Sequence, residues 1–115
     1  GSTPIKSADG TEYKNYILKA EGNISEETIE YKLDKNYSKL EGIICAQATP
    51  AEGTDLFSTK VIIYDQNGKT LYTTGNTANN SFSIDVSKVE TLRIVFKSST
   101  EGSYFIGNPT LTQSK

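Results

Sequence analysis

From Lys60 to Phe96 apolar and polar side chains alternate almost residue by residue. Lys60-Val61-Ile62-Ile63-Tyr64 leads into the polar run Asp65-Gln66-Asn67-Gly68-Lys69 and then Thr70-Leu71-Tyr72-Thr73. Phe82-Ser83-Ile84-Asp85-Val86 and Leu92-Arg93-Ile94-Val95-Phe96 follow after polar links. A period of two sends alternate side chains to opposite faces of an extended chain, so each run reads as a strand with one buried face. Phe82, Ile84, Val86, Leu92, Ile94 and Phe96 are placed inward, and Arg93, Val95 and Lys97 on the other face. Asn67 and Gly68 both tolerate positive φ, so Asn67-Gly68 between two such runs predicts a tight hairpin turn. Tyr64 and Tyr72 flank that turn and predict a cross-strand pair.

The first half carries the same pattern more loosely. Ile29, Tyr31 and Leu33 alternate with polar residues and face one way. Asp34 to Lys39 reads as a polar connection. Leu40 to Ala48 reads as a strand with Leu40, Ile44, Ala46 and Ala48 inward, and Gly42 on the same face marks close sheet packing. Tyr13 to Leu18 is either a short strand or a ligand-facing loop. Asp9-Gly10-Thr11, Glu21-Gly22-Asn23 and Thr49 to Thr59 carry turn formers. Tyr104 to Leu111 makes the last strand, with a break at Asn108-Pro109. About eight or nine strands without an intervening helix predict an all-β, antiparallel jelly-roll sandwich.

The chain has 115 residues, enough for one domain with one core. It begins Gly1-Ser2 and contains no Met. Residues 1–8 therefore read as a cloning remnant and flexible lead-in, and 9–115 as a single module excised from a longer protein. No apolar run nears the roughly 18 residues of a membrane span, so no membrane insertion is expected. The net charge is −2 and Arg93 is the lone arginine. Nucleic acid demands a clustered basic face, which this charge pattern lacks, so no nucleic-acid partner is expected. Cys45 has no second cysteine to pair with and lies in the apolar run Gly42-Ile43-Ile44-Cys45-Ala46, which reads as a small buried hydrophobe. A nucleophilic thiol would need a base, and the chain has no His.

The segment Tyr31-Lys32-Leu33-Asp34-Lys35-Asn36-Tyr37-Ser38-Lys39-Leu40-Glu41-Gly42 resembles the tyrosine–leucine and tyrosine-serine-lysine-phenylalanine stretch of NPCBM/NEW2 domains, the family 51 carbohydrate-binding modules. The resemblance continues through Val61-Ile62-Ile63-Tyr64-Asp65, Gly68-Lys69-Thr70-Leu71-Tyr72 and Phe82 to Ile94. It closes at Gly107-Asn108-Pro109-Thr110-Leu111, so it covers residues 12 to 111. The family implies a galactose-binding-like jelly roll attached to glycoside hydrolases and surface proteins of bacteria, an extracellular or cell-wall location, and galactose-containing glycans as ligands, sometimes with a structural calcium ion. The sequence departs from the family at Tyr104-Phe105-Ile106-Gly107-Asn108, where members carry a His-Ala-Asp-Trp-like cluster and this chain has neither His nor Trp.

A sugar site combines an aromatic face with planar polar groups. Tyr13, Tyr16 and Tyr104 stand in polar neighbourhoods and are the candidate rings. Asn15, Arg93 and Asn108 are the candidate hydrogen-bonding partners, Arg93 because its fork suits paired acceptors. Each has a structural reading beside it: Tyr13 and Tyr16 as packing residues, Arg93 as an outward sheet residue, and Asn108 as turn chemistry before Pro109. Calcium would need loop acids, of which Asp9 and Glu12 are the candidates, with Glu52 and Asp55 behind them. No feature selects the two carboxyls that glycoside hydrolysis requires, so catalysis is not expected. The residues leave two readings open. One is a non-catalytic carbohydrate-binding module that holds a partner domain on galactose-type glycans. The other is a structural or protein-interaction (adhesion) sandwich that has lost the sugar site.

Overall fold

The computed structural model describes residues 4–7, 10–18, 26–46, 60–74, 79–97 and 104–114. Every regular element among them is a strand: β1 (Ile5–Lys6), β2 (Glu12–Tyr13), β3 (Tyr16–Leu18), β4 (Glu26–Lys32), β5 (Tyr37–Ala46), β6 (Lys60–Tyr64), β7 (Thr70–Thr73), β8 (Asn79–Asp85), β9 (Thr91–Lys97) and β10 (Tyr104–Gln113). Among the described residues no helix is long and apolar enough to cross a membrane. Two antiparallel four-stranded sheets, β3-β10-β5-β8 and β4-β9-β6-β7, form the sandwich, and β1 pairs with β2 as a separate small ribbon. Successive strands alternate between the two large sheets except at the β6–β7 hairpin, which is the jelly-roll order expected. The two short strands of the ribbon raise the count to ten.

The residues read as inward do build the main core. Ile44, Val61, Ile63, Leu92, Ile94 and Phe96 are sealed between the sheets, with Phe82, Leu40 and Val86 beside them. A Cβ on Gly42 would stand 3.2 Å from the Phe82 ring, which accounts for a glycine on that face. Tyr72 closes the β7/β8 side by stacking on Phe82 at 5.2 Å. Burial there raises the Tyr72 phenol above its ordinary pKa.

Several expectations need correction. Tyr72 is paired with Ile63 and Tyr64 with Thr70, so the predicted Tyr64–Tyr72 pair does not form. Leu71 is the extra residue of a bulge there, and it shifts the register by one. The β6–β7 turn is also longer than Asn67-Gly68 alone implies. Gly68 has φ of 80° while Asn67 is not left-handed. The Asp65 carboxylate sets the turn by accepting from the amides of Asn67 (2.8 Å) and Lys69 (2.9 Å). Val95 faces outward as read, yet it is buried. The connection read over 34–39 is condensed into Leu33–Asn36, where Asp34 and Lys35 both take positive φ and Asn36 N–H bonds back to Leu33 O.

Residues 5–7 are not a loose lead-in. Ile5 pairs with Tyr13, and Ile5 and Ser7 are buried. The β1–β2 ribbon covers the outer face of the β3-β10-β5-β8 sheet and makes a second core of Ile5, Tyr13, Cys45 and Phe105. Both faces of β5 and β10 are therefore buried at Ile43-Ile44-Cys45 and Phe105-Ile106. Cys45 is the buried hydrophobe expected, with its Sγ 3.6 Å from Tyr13 Oη. The expectations at Glu21-Gly22-Asn23, Ala48 and Thr49–Thr59 lie outside the described residues.

Candidate functional site

β10 cannot keep one register along its length. Gly107 is opposite Ile43 and Thr110 opposite Glu41, so one strand spends an extra residue. Asn108 absorbs it in the left-handed region, with φ of 51°. A single extra residue exchanges the faces of everything after it. Pro109 and Leu111 thereby turn toward the space between the sheets. Pro109 loses nothing by lacking an N–H, because β3 pairs only with Phe105–Gly107. The predicted break at Asn108-Pro109 is this bulge.

The bulge gathers three of the candidate residues, Asn15, Tyr16 and Asn108. Asn108 N–H donates to Asn15 O at 2.9 Å, and Thr110 Oγ1 donates to Asn108 O at 3.1 Å. Tyr16 is opposite Gly107, and its half-buried ring meets Phe105 edge-on at 6.3 Å. Asn15 and Asn108, joined through their backbones, are both exposed. The result is a shallow edge with one ring and two amides. Tyr13 lies beneath, not on, this surface. It is 8% exposed, packs on Phe105 at 5.4 Å and lies over Gly107. Its ring is a core residue of the ribbon, which corrects its reading as a ligand-facing group.

Arg93 is elsewhere. It belongs to β9 in the other sheet, on the outward face, where its Nε is 2.8 Å from Glu30 Oε2. The sheet that separates it from Asn15, Tyr16 and Asn108 prevents a shared site. Tyr104 opens β10 opposite Ala46, and its side chain lies outside the described residues. Of the calcium candidates, Glu12 is exposed and 4.0 Å from Lys6 Nζ across the ribbon, while Asp9, Glu52 and Asp55 lie outside the described residues. Among the described residues no three His, Cys, Asp or Glu side chains are gathered to hold a metal ion.

Two further depressions flank the sandwich, neither of them selected from the sequence. Between β7 and β8 lies an open cleft of about 600 Å³. Its floor is Leu71, Ile84 and Val89, and its rim carries Asp65, Asn67, Lys69, Asp85 and Lys88. Gln66 ties this rim together by accepting from Glu90 N–H at 3.0 Å. Asp85 Oδ1 accepts from Ser87 N–H at 2.8 Å, and that bond, with the Ser87 hydroxyl and the charge of Lys88, holds the carboxyl below its ordinary pKa. The sequence signal was present: an aspartate two residues before its amide partner is a side-chain-capped turn. On the opposite flank, under the bulge, an apolar slot of about 280 Å³ is lined by Ile17, Tyr31, Leu33, Leu40, Leu92, Ile94, Pro109 and Leu111.

No protein-family model and no curated protein matches the chain. Among solved structures, it is similar to a chain of Clostridium perfringens ZmpB that comprises the M60 catalytic domain with the CBM51-1 and CBM51-2 domains, at 15% identity and a TM-score of 0.68. That match covers 97% of this chain and 12% of the ZmpB chain, so this sandwich spans a small part of that protein. A Streptococcus pneumoniae fucose binding module, SpX-3, matches at 26% identity over 79% of this chain and 68% of its own, with a TM-score of 0.34. The ZmpB likeness is one of fold.

Proposed function

We propose that this chain is a non-catalytic carbohydrate-binding module of the NPCBM/NEW2 kind, which holds a partner domain of a larger secreted or surface protein on galactose-type glycans. The observation that carries the proposal is the jelly-roll sandwich itself, similar over nearly its whole length to a chain that carries CBM51 domains. The edge at the bulge supports it locally. Tyr16 offers a ring face to apolar sugar C–H groups, and Asn15 and Asn108 offer planar amides to paired hydroxyls. Anchoring of this kind raises the effective concentration of the attached domain on its substrate.

The experiment is a glycan array with the folded module, in calcium and in chelator, followed by NMR mapping of the best ligand. Binding to galactose-type glycans is expected in both, with shifts at Asn15, Tyr16 and Asn108. Tyr16→Ala or Asn108→Ala should weaken it at least about tenfold. Shifts confined to Asp65–Lys69 and Asp85–Lys88 would move the site to the polar cleft. A blank array from folded protein would overturn the proposal.

One observation favours the second reading, a protein-interaction sandwich without a sugar site. Tyr13, a ring that would have built the site, is buried in the ribbon core. On that reading Tyr16 is the last of the packed rings, and the array is blank.

A further inference from the structure

β3 is three residues long and pairs with β10 only at Phe105–Gly107. β10 continues to Gln113. Its other side is paired with β5, but among the described residues no strand pairs with Thr110–Gln113 on the β3 side. The chain bends at Lys14-Asn15 on its way from β2 to β3, just beyond the Asn108 N–H to Asn15 O bond, so β3 does not extend along this edge.

An unpaired strand edge offers its backbone N–H and C=O groups to any extended chain, and natural edges are commonly guarded by charge. β4, the neighbouring edge of the other sheet, is guarded in this way by Glu26, Glu27, Glu30 and Lys32. Thr110-Leu111-Thr112-Gln113 carries no charge at all. Beside this edge the gap between the sheets opens into the apolar slot of about 280 Å³. Its lips are Tyr31 from one sheet and Leu111 from the other, the exposed large hydrophobics among the described residues at 39% and 37%.

We propose that the Thr110–Gln113 edge and the adjoining slot form a docking site for an extended peptide of a partner protein. The peptide runs antiparallel to β10, in line with β3, and drops alternate aliphatic side chains into the slot. Backbone pairing at a free edge with pockets for alternate side chains is an established mode of peptide recognition. At about 280 Å³ the slot is near the lower end of the range of about 300–1,000 Å³ for ligand clefts, and its apolar lining suits aliphatic side chains. A sugar is a poor occupant, because apart from the Tyr31 phenol the lining side chains offer its hydroxyls no partners. A second copy of this chain is disfavoured, because four edge residues are a small part of the roughly 20–30 residues a side that stable interfaces use. The slot adjoins the Tyr16 edge at the bulge but opens between the sheets, whereas the Tyr16 ring packs on Phe105 of the second core, and the proposal stands whether or not glycan binds there.

The test is NMR titration of the isotope-labelled protein with blocked hexapeptides that alternate threonine with valine, leucine or isoleucine, up to about 1 mM. Amide shifts are expected at Thr110–Gln113, Tyr31 and Leu33. Affinity should fall at least about tenfold for Leu111→Lys, for Tyr31→Lys, and for peptides N-methylated on alternate amides. Both variant side chains are already exposed, so thermal unfolding should report an intact fold. Absence of shifts with every peptide would overturn the proposal, as would shifts confined to another surface. Equal binding of N-methylated peptides would overturn strand addition. A dimer in sedimentation that Leu111→Lys dissociates would overturn the peptide as occupant.

Discussion

Adding one methyl group at Gly107 tests how the β1–β2 ribbon is held to the sandwich. A Cβ there would stand 2.6 Å from Tyr13 Cδ2 and 2.8 Å from Cε2, where carbon atoms in good contact sit about 3.5–4.0 Å apart. The ring would have to retreat by about 1 Å, and it has little room. Phe105 stands at 5.4 Å on one side, and the phenol oxygen lies 3.6 Å from Cys45 Sγ. The backbone cannot yield instead, because Gly107 is fixed between Tyr16 of β3 and Ile43 of β5. Overpacking of this kind costs about 1–3 kcal/mol, which for a domain of this size lowers Tm by about 4–12 °C. In a Tyr13→Ala background the clash is gone, and alanine exceeds glycine in a strand by about 0.5–1 kcal/mol. Gly107→Ala should there be neutral or mildly stabilising. A double-mutant cycle by urea unfolding should thus give a coupling of about 1–3 kcal/mol. An unchanged Tm for Gly107→Ala, or an equal loss in both backgrounds, would refute the packing of Tyr13 on Gly107.

Other outcomes follow from the turns and the surface. Gly68→Ala should cost about 1–2 kcal/mol in chemical unfolding, because φ of 80° suits glycine and strains alanine. The reverse holds at Lys35, whose φ is 60°: Lys35→Asn should raise Tm by a few degrees, since Asn tolerates that region better. NMR titration should find Asp85 below the ordinary carboxylate pKa. A depressed folded-state pKa adds stability above the unfolded value, so its contribution disappears as the pH falls through the folded one. Ser87→Ala should bring the value only part of the way back, because the Ser87 N–H remains. Arg93→Ala should cost less than about 1 kcal/mol, with the loss shrinking in high salt, because its pair with Glu30 is half exposed; glycan affinity should not change.

The sequence determined most strands of the two large sheets and one of the two cores. Period-two alternation at Phe82–Val86 and Leu92–Phe96 states which side chains face inward, because strand geometry leaves no other choice once a face is buried. The side-by-side apolar residues Ile43-Ile44-Cys45 and Phe105-Ile106 also carried a signal, that both faces of these strands are covered, though what covers them is not local information. That cover is the ribbon formed by Ile5 and Tyr13, far away in the chain. Only tertiary structure could turn Tyr13 from a candidate binding ring into a core residue, because burial is a property of the neighbours a side chain meets. The same holds for the binding candidates. Asn108 is far in sequence from the adjacent Asn15 and Tyr16, and the three come together because β3 pairs with β10 at the bulge. Arg93 is parted from them because β9 belongs to the other sheet. The apolar slot depends on a register shift of one residue at Asn108, and such a shift is set by pairing with β5, which no single strand's own sequence specifies.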